Sequence, residues 1–472
     1  MNKILKGILS ISCVALLLSS VTACQSAYSI AVKNGYQGTE EEWLKSLHGE
    51  DGKDGEDGKD LTATDLYDTA VANGYEGTYL DFCQNVLKVE VQNNNDVDMI
   101  ASNITSVVSI YCGFIQTVYY GGIGGFGGVI GGVPQTQYYA SAGSGVVIDL
   151  DKEEGDALIV TNYHVIYDAE SDSKTGISDS IYLYTYGAYN GFSLQSTGGY
   201  ADIYGDGIKA TYVGGAMDYD IAILRIEDSE YIKNSIISEA EFANSDDVQV
   251  SEKVYAIGNP DGAGIAVTEG IISVESEYIT MTSTDGTNRV VDYRVMRTDA
   301  AINSGNSGGA LFNAEGKLIG IVNAKNASTE VDNMGYALPS SHVHNLCDNI
   351  LENNELYGVS GARVARLGIM VSITGSKAYF DENGALRIYE QITVAELSTS
   401  GVATQLLAVG DIIQAIKVEG GEWFQLTRQY QLLDQLLTVR KGDTVQLKVM
   451  RDGTEKTVEM IFSEDAYFTK YA

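Results

Sequence analysis

Apolar and polar positions change rhythm along this chain. From about residue 97, short β-branched runs broken by glycine follow one another: VVSIYCGFI (107–115), GSGVVIDL (143–150), DALIVTNYHVI (156–166), IYLYTYGAY (181–189), DYDIAILRI (218–226), KVYAIG (253–258) and GKLIGIV (316–322). Many short strands at this spacing predict a mainly β architecture, a barrel or sandwich. The run SSHVHNLCDNIL (340–351) reads as a helix, and from about residue 360 a second β-rich stretch carries one helical pattern, LTRQYQLLDQLL (426–437). That stretch predicts a small separate α+β unit.

The N-terminal part has a different texture. AYSIAVKNGYQGTEEEWLKSL (27–47) is echoed thirty-nine positions later by LYDTAVANGYEGTYLDFCQNV (66–86), with Tyr28 against Tyr67, Asn34-Gly35 against Asn73-Gly74 and Trp43 against Phe82. Each copy of this repeat reads as a short helix closed by Asn-Gly, then a second helix capped by Thr39 or Thr78. Such a helical pair is a spacer or docking unit. Between the copies, GEDGKDGEDGKD (49–60) holds four Gly-x-y triplets without proline, too few for a triple helix, and reads as a flexible acidic linker.

The opening MNKILKGILSISCVALLLSSVTAC places Lys3 and Lys6 before a short apolar stretch, the pattern of an export signal. The stretch is shorter than the ~20 residues that span a bilayer. Val21-Thr22-Ala23-Cys24 resembles the lipobox of bacterial lipoproteins, which implies cleavage after residue 23 and a lipid on Cys24, anchoring the mature chain outside the cytoplasmic membrane.

At 472 residues and 44% hydrophobic, the chain can fill two or three cores. Its 30 Lys and Arg against 64 Asp and Glu give a net charge of −34, which excludes nucleic acid as a partner without a basic patch. No Cys-x-x-Cys spacing suggests a metal site, and no cofactor is implied. Cys83, Cys112 and Cys347 would remain after export, and whether two of them pair stays open. The glycine tract YYGGIGGFGGVIGG (119–132) has no helix signal after it and reads as a surface loop rather than a phosphate cradle.

The chemistry centres on TDAAINSGNSGGALF (298–312). A nucleophilic serine needs a base, a group to orient the base and N–H donors for the oxyanion. Of four histidines, His48 borders the acidic linker, and His342 and His344 point to different faces of a helix. His164 ends an apolar strand-like run. The carboxylate should sit at the mouth of a buried strand, where DYDIAIL offers both Asp218 and Asp220.

TNYHVI, DYDIAIL, AIGNP, TDAAINSGNSGGAL, GKLIGIV and GYALPS together resemble the HtrA/Deg family of trypsin-like serine proteases, in matching order over about 107–465. The resemblance implies a chymotrypsin-like double β-barrel with His164, Asp220 and Ser307 as triad, deciding for Asp220 over Asp218. Gly305, Asn306 and Ser307 would form the oxyanion hole and Ile302 part of the S1 wall, favouring a small or medium apolar P1 residue. Asn306 stands where digestive relatives carry the aspartate that captures a freed N-terminus, so no zymogen switch is expected. The C-terminal unit resembles a PDZ domain, with Arg366, Leu367, Gly368 and Ile369 presenting N–H groups to a peptide C-terminus. Its segment 377–392 is longer than that pattern, and Val409-Gly410-Asp411 stands for the usual Pro-Gly-Asp.

The expected division is a signal peptide over 1–23, repeats and linker over 24–96, the protease domain over 97–355 and the PDZ-like domain over 360–465. Unfolded or misfolded polypeptide is the expected substrate and a homotrimer the assembly the family suggests. The competing reading is a non-catalytic peptide-binding or chaperone protein on the same scaffold, which would have little reason to keep all three triad positions.

Overall fold

The computed structural model describes residues 32, 36–39, 63–75, 82, 95–120, 133–188, 190–194, 201–323 and 334–471. The export signal with Cys24, the linker 49–60, Cys83 and the glycine tract beyond Tyr120 lie outside the described residues. The chain divides into two compact units, Met1–Asn95 and Asp96–Ala472.

In the first unit the helix Ala63–Ala72 stops at Asn73-Gly74, where Gly74 takes a φ of +94° that a Cβ would disfavour. Tyr67, Tyr75 and Phe82 meet edge to face, with centroids 5.5–6.3 Å apart.

The second unit contains two closed six-stranded barrels. The first is built from β1 (Val107–Tyr120), β2 (Val133–Asp151), β3 (Asp156–Thr161), β4 (Ser180–Thr185), β5 (Ile208–Ala216) and β6 (Ile221–Ile226), in the order β1-β2-β3-β6-β5-β4. The second uses β7 (Lys253–Gly258), β8 (Ala266–Thr282), β9 (Val290–Thr298), β10 (Ala310–Asn313), β11 (Leu318–Asn323) and β12 (Gly335–Pro339), in the order β8-β9-β12-β11-β10-β7. Their continuous apolar runs follow from burial on both faces. In β6, Ile221 and Ile223 enter one cluster while Ala222, Leu224 and Ile226 enter another. Strand side chains alternate, so each face meets a different core. The cluster that takes Val146, Val160, Ile221 and Ile223 from the first barrel also takes Ile257, Val295, Ala310 and Ile321 from the second, so the barrels share one apolar seam.

The strand-like run 156–166 is interrupted. β3 ends at Thr161, and Tyr163–Ile166 form a single helical turn. The Tyr163 N–H and the Asn162 amide both donate to the Asp220 carbonyl, at 3.2 and 3.0 Å, which draws the chain off the ladder.

After the helix Ser340–Tyr357, the C-terminal part forms a sheet of β13 (Ile369–Phe380), β14 (Leu386–Leu397), β15 (Ile412–Val418), β16 (Thr444–Arg451) and β17 (Thr454–Ile461), in that spatial order, with the helix Gln429–Leu437 packed on it. β13 is an edge strand. The long segment 377–392 is the distal half of the β13–β14 hairpin, whose turn is closed by Asp381 accepting from the N–H groups of Asn383 and Ala385.

Candidate active site

Asp220 sits between the 3-10 turn Met217–Tyr219 and β6, in the left-handed region at φ 52°. It is fully buried. Its Oδ2 accepts from His164 Nδ1 at 2.7 Å and from the Asn323 amide at 2.9 Å, and its Oδ1 accepts the His164 backbone N–H at 3.0 Å. A carboxylate taken out of water is costly unless such donors replace the solvent. Ring and backbone of His164 are thereby held by one carboxyl group, and the histidine side chain keeps 20% of its surface exposed. Asp218 points elsewhere, into an ion pair with Arg289.

Ser307 comes from the second barrel, on a turn whose sharpness depends on glycine. Gly305 and Gly308 have φ of +90° and +82°. A Cβ on Gly305 would lie 2.2 Å from the Asn259 carbonyl oxygen, and one on Gly308 2.2 Å from that of Ser144 and 3.1 Å from the Asn162 nitrogen. The serine turn therefore packs directly against the segment leading to His164. The Asn306 N–H donates to the Asn303 carbonyl at 3.0 Å. Ser304 is exposed, with its carbonyl held by the Asp261 N–H at 2.8 Å. Ile302 is half-buried and reaches over Gly335, where a Cβ would meet its Cδ1 at 2.5 Å.

The other candidate histidines have partners of their own. His342 is buried against Asp434, while His344 is exposed beside Asp348. In the loop before β13, the exposed Arg366 donates its N–H to the Tyr467 carbonyl, and the Leu367 and Gly368 carbonyls accept from Ala403 and Ser398. Gly368, at φ +76°, turns the chain into Ile369 and the free edge of the sheet. Cys112 and Cys347 are free and buried, and burial pushes the Cys112 thiol up to about 12, so it holds no thiolate near neutrality.

Two residues at the site carried a weak sequence signal. Asn323 is the polar residue that ends the apolar run GKLIGIVN, and it crosses from the second barrel to Asp220. Ser144 is a fully buried hydroxyl within GSGVV.

Residues 143–321 match the family described as Trypsin-like peptidase domain. The paired barrels are those of a trypsin-like serine peptidase. Serine protease Do-like HtrA of Lactococcus lactis subsp. lactis is 31% identical over 393 residues, spanning 80% of this chain and 84% of that protein. Periplasmic serine endoprotease DegP of Escherichia coli is 31% identical over 341 residues, spanning 71% and 60%. A solved structure, HtrA-type protease AlgW with decapeptide, aligns at 24% identity over 77% of this chain and 97% of its own, with a TM-score of 0.45. The chain belongs to the HtrA family and is a serine-type endopeptidase.

Proposed function

We propose that His164, Asp220 and Ser307 are the catalytic triad of this endopeptidase. The observation that carries the reading is the buried Asp220 carboxylate, which binds both Nδ1 and the backbone N–H of His164 and so fixes the ring and its tautomer. With Nδ1 protonated, Nε2 is the basic nitrogen. It takes the Ser307 hydroxyl proton as Oγ attacks the scissile carbonyl, then delivers that proton to the leaving amine; water hydrolyses the acyl-enzyme by the reverse transfers. Asp220 stays ionised throughout and stabilises the imidazolium. The oxyanion is met by the N–H groups of Gly305 and Ser307, while Asn306 shapes the turn through its bond to Asn303.

Ile302 forms part of the S1 wall and selects an apolar P1 side chain. The C-terminal unit acts as a PDZ-like module in which a peptide C-terminus meets the loop Arg366–Ile369 and the chain adds to the β13 edge. The division 1–23, 24–96, 97–355 and 360–465 describes signal, repeats, protease and PDZ-like module. Unfolded polypeptides outside the cytoplasmic membrane are the substrates, a lipid on Cys24 is the anchor, and a homotrimer is the assembly.

The test is labelling of the full chain with a fluorophosphonate probe alongside casein cleavage. Wild type labels and cleaves; Ser307→Ala does neither. An unlabelled wild type, or a Ser307→Ala protein that still cleaves, refutes the triad. In fractionated cells the labelled band tracks the membrane fraction for wild type and leaves it for Cys24→Ser.

A further inference from the structure

We propose that Ser144, on the first barrel, is a positioning residue for the oxyanion-binding turn of the second: it holds the carbonyls of Gly305 and Ser307 and thereby fixes the aim of the turn's N–H groups. This rests on the reading of Ser307 as nucleophile.

Ser144 is fully buried on β2 and makes four hydrogen bonds, none of them a routine strand contact of its side chain. Its hydroxyl donates to the Gly305 carbonyl at 2.8 Å and accepts the Asn259 N–H at 2.8 Å. Its own N–H donates to the Ser307 carbonyl at 2.8 Å, and its carbonyl accepts the Thr161 hydroxyl at 2.7 Å. Thr161 ends the strand that leads to His164. One residue therefore ties together the serine turn, the Asn259 segment and the approach to the base.

The consequence follows from peptide planarity. In a trans peptide the carbonyl and the N–H point in opposite directions, so holding one aims the other. Four successive carbonyls are held here: Ser304 by the Asp261 N–H, Gly305 by the Ser144 hydroxyl, Asn306 by the Gly309 N–H and Ser307 by the Ser144 N–H. The first and third of these planes carry the N–H groups of Gly305 and Ser307. Ser144 clamps the alternate planes, second and fourth, and so fixes the torsions between the two donors. Removing the hydroxyl leaves the Gly305 carbonyl and the Asn259 N–H to find new partners in a dry site, and the turn relaxes.

The experiment uses the full chain and three proteins: wild type, Ser144→Ala, and Ser178→Ala as a control that deletes another buried hydroxyl bonded to a backbone carbonyl of the first barrel. Each is assayed with a peptide substrate bearing an apolar P1 residue, for affinity to the matching peptidyl boronate, and for folded fraction by thermal unfolding. Ser144→Ala is expected to lower kcat roughly ten- to a hundredfold with KM changed less than about threefold, and to weaken the boronate by the same factor as kcat. Ser178→Ala is expected to leave both unchanged. An unchanged kcat in Ser144→Ala, or a fall that only tracks lost folded protein, overturns the proposal. Should Ser144→Ala not fold, Ser144→Cys, with a weaker donor of similar size, is read by the same criteria. If wild type labels with the fluorophosphonate while Ser144→Ala keeps full kcat, only this inference fails; if wild type does not label, the triad itself fails.

Discussion

At Asp220 a single carboxylate meets three N–H donors, two from His164 and one from Asn323 of the other barrel. The charge is compensated where it is buried, and in the proposed triad the imidazole would gain a proton during turnover without losing its support. Asp220→Asn replaces the oxygen that accepts from Nδ1 by a group that favours the wrong tautomer. We expect kcat to fall by roughly 10³- to 10⁴-fold with the thermal midpoint little changed, and a drop of less than about tenfold on a peptide substrate contradicts this role. The residues alone left Asp218 and Asp220 equivalent, because both precede the same apolar strand. Folding separates them: Asp218 turns outward into an ion pair with Arg289, 71 positions further along the chain, while Asp220 turns inward.

At the level of elements, strands such as β6 and β11 were readable because they are buried on both faces, whereas the short turns between strands were set by single polar groups. Val409-Gly410-Asp411 illustrates this. Gly410 takes φ +92°, and Asp411 accepts the Ala408 N–H at 2.8 Å and both Nε and Nη2 of Arg451, at 2.7 and 2.6 Å. The departure from Pro-Gly-Asp thus keeps the two residues that the turn uses. The Arg451 guanidinium holds the Asp411 carboxyl below its ordinary range. A depressed carboxylate contributes stability that is fully present above its unfolded pKa of ~3.9 and is lost as pH falls through the lower folded value. Asp411→Asn should therefore lower stability by roughly 2 kcal/mol at neutral pH, measured by denaturant unfolding, and flatten the acid limb below about pH 4. An acid limb identical to wild type would show that Asp411 does not govern it.

Across the whole molecule, the second barrel and the C-terminal sheet are joined through a buried ionic seam. Asp434, on the helix Gln429–Leu437, accepts from His342 Nδ1 at 2.6 Å and from Arg294 of β9, which also reaches Asp246 at 2.8 Å. The Arg294 guanidinium lies 3.4 Å from the Tyr430 ring centre. Arg294, His342 and Asp434 are each less than a tenth exposed. Asp434→Ala would leave Arg294 buried with less compensation, so we expect a loss of about 3–5 kcal/mol and an earlier, separate unfolding transition of the C-terminal sheet by calorimetry. A loss below about 1 kcal/mol would place the coupling elsewhere along the seam.

By itself the sequence determined the strands, the glycine turn that lifts Ser307 and the short candidate roster for base and nucleophile, since these depend on local periodicity, backbone freedom and residue chemistry. Tertiary structure alone decided which partners meet. Asn323 and Asp220 are 103 positions apart, Ser144 and Gly305 161, and Arg294 and Asp434 140. No local pattern encodes such pairs, because each is created only when two barrels, or a barrel and a sheet, close over a shared dry interface in which every polar group must find a donor or acceptor.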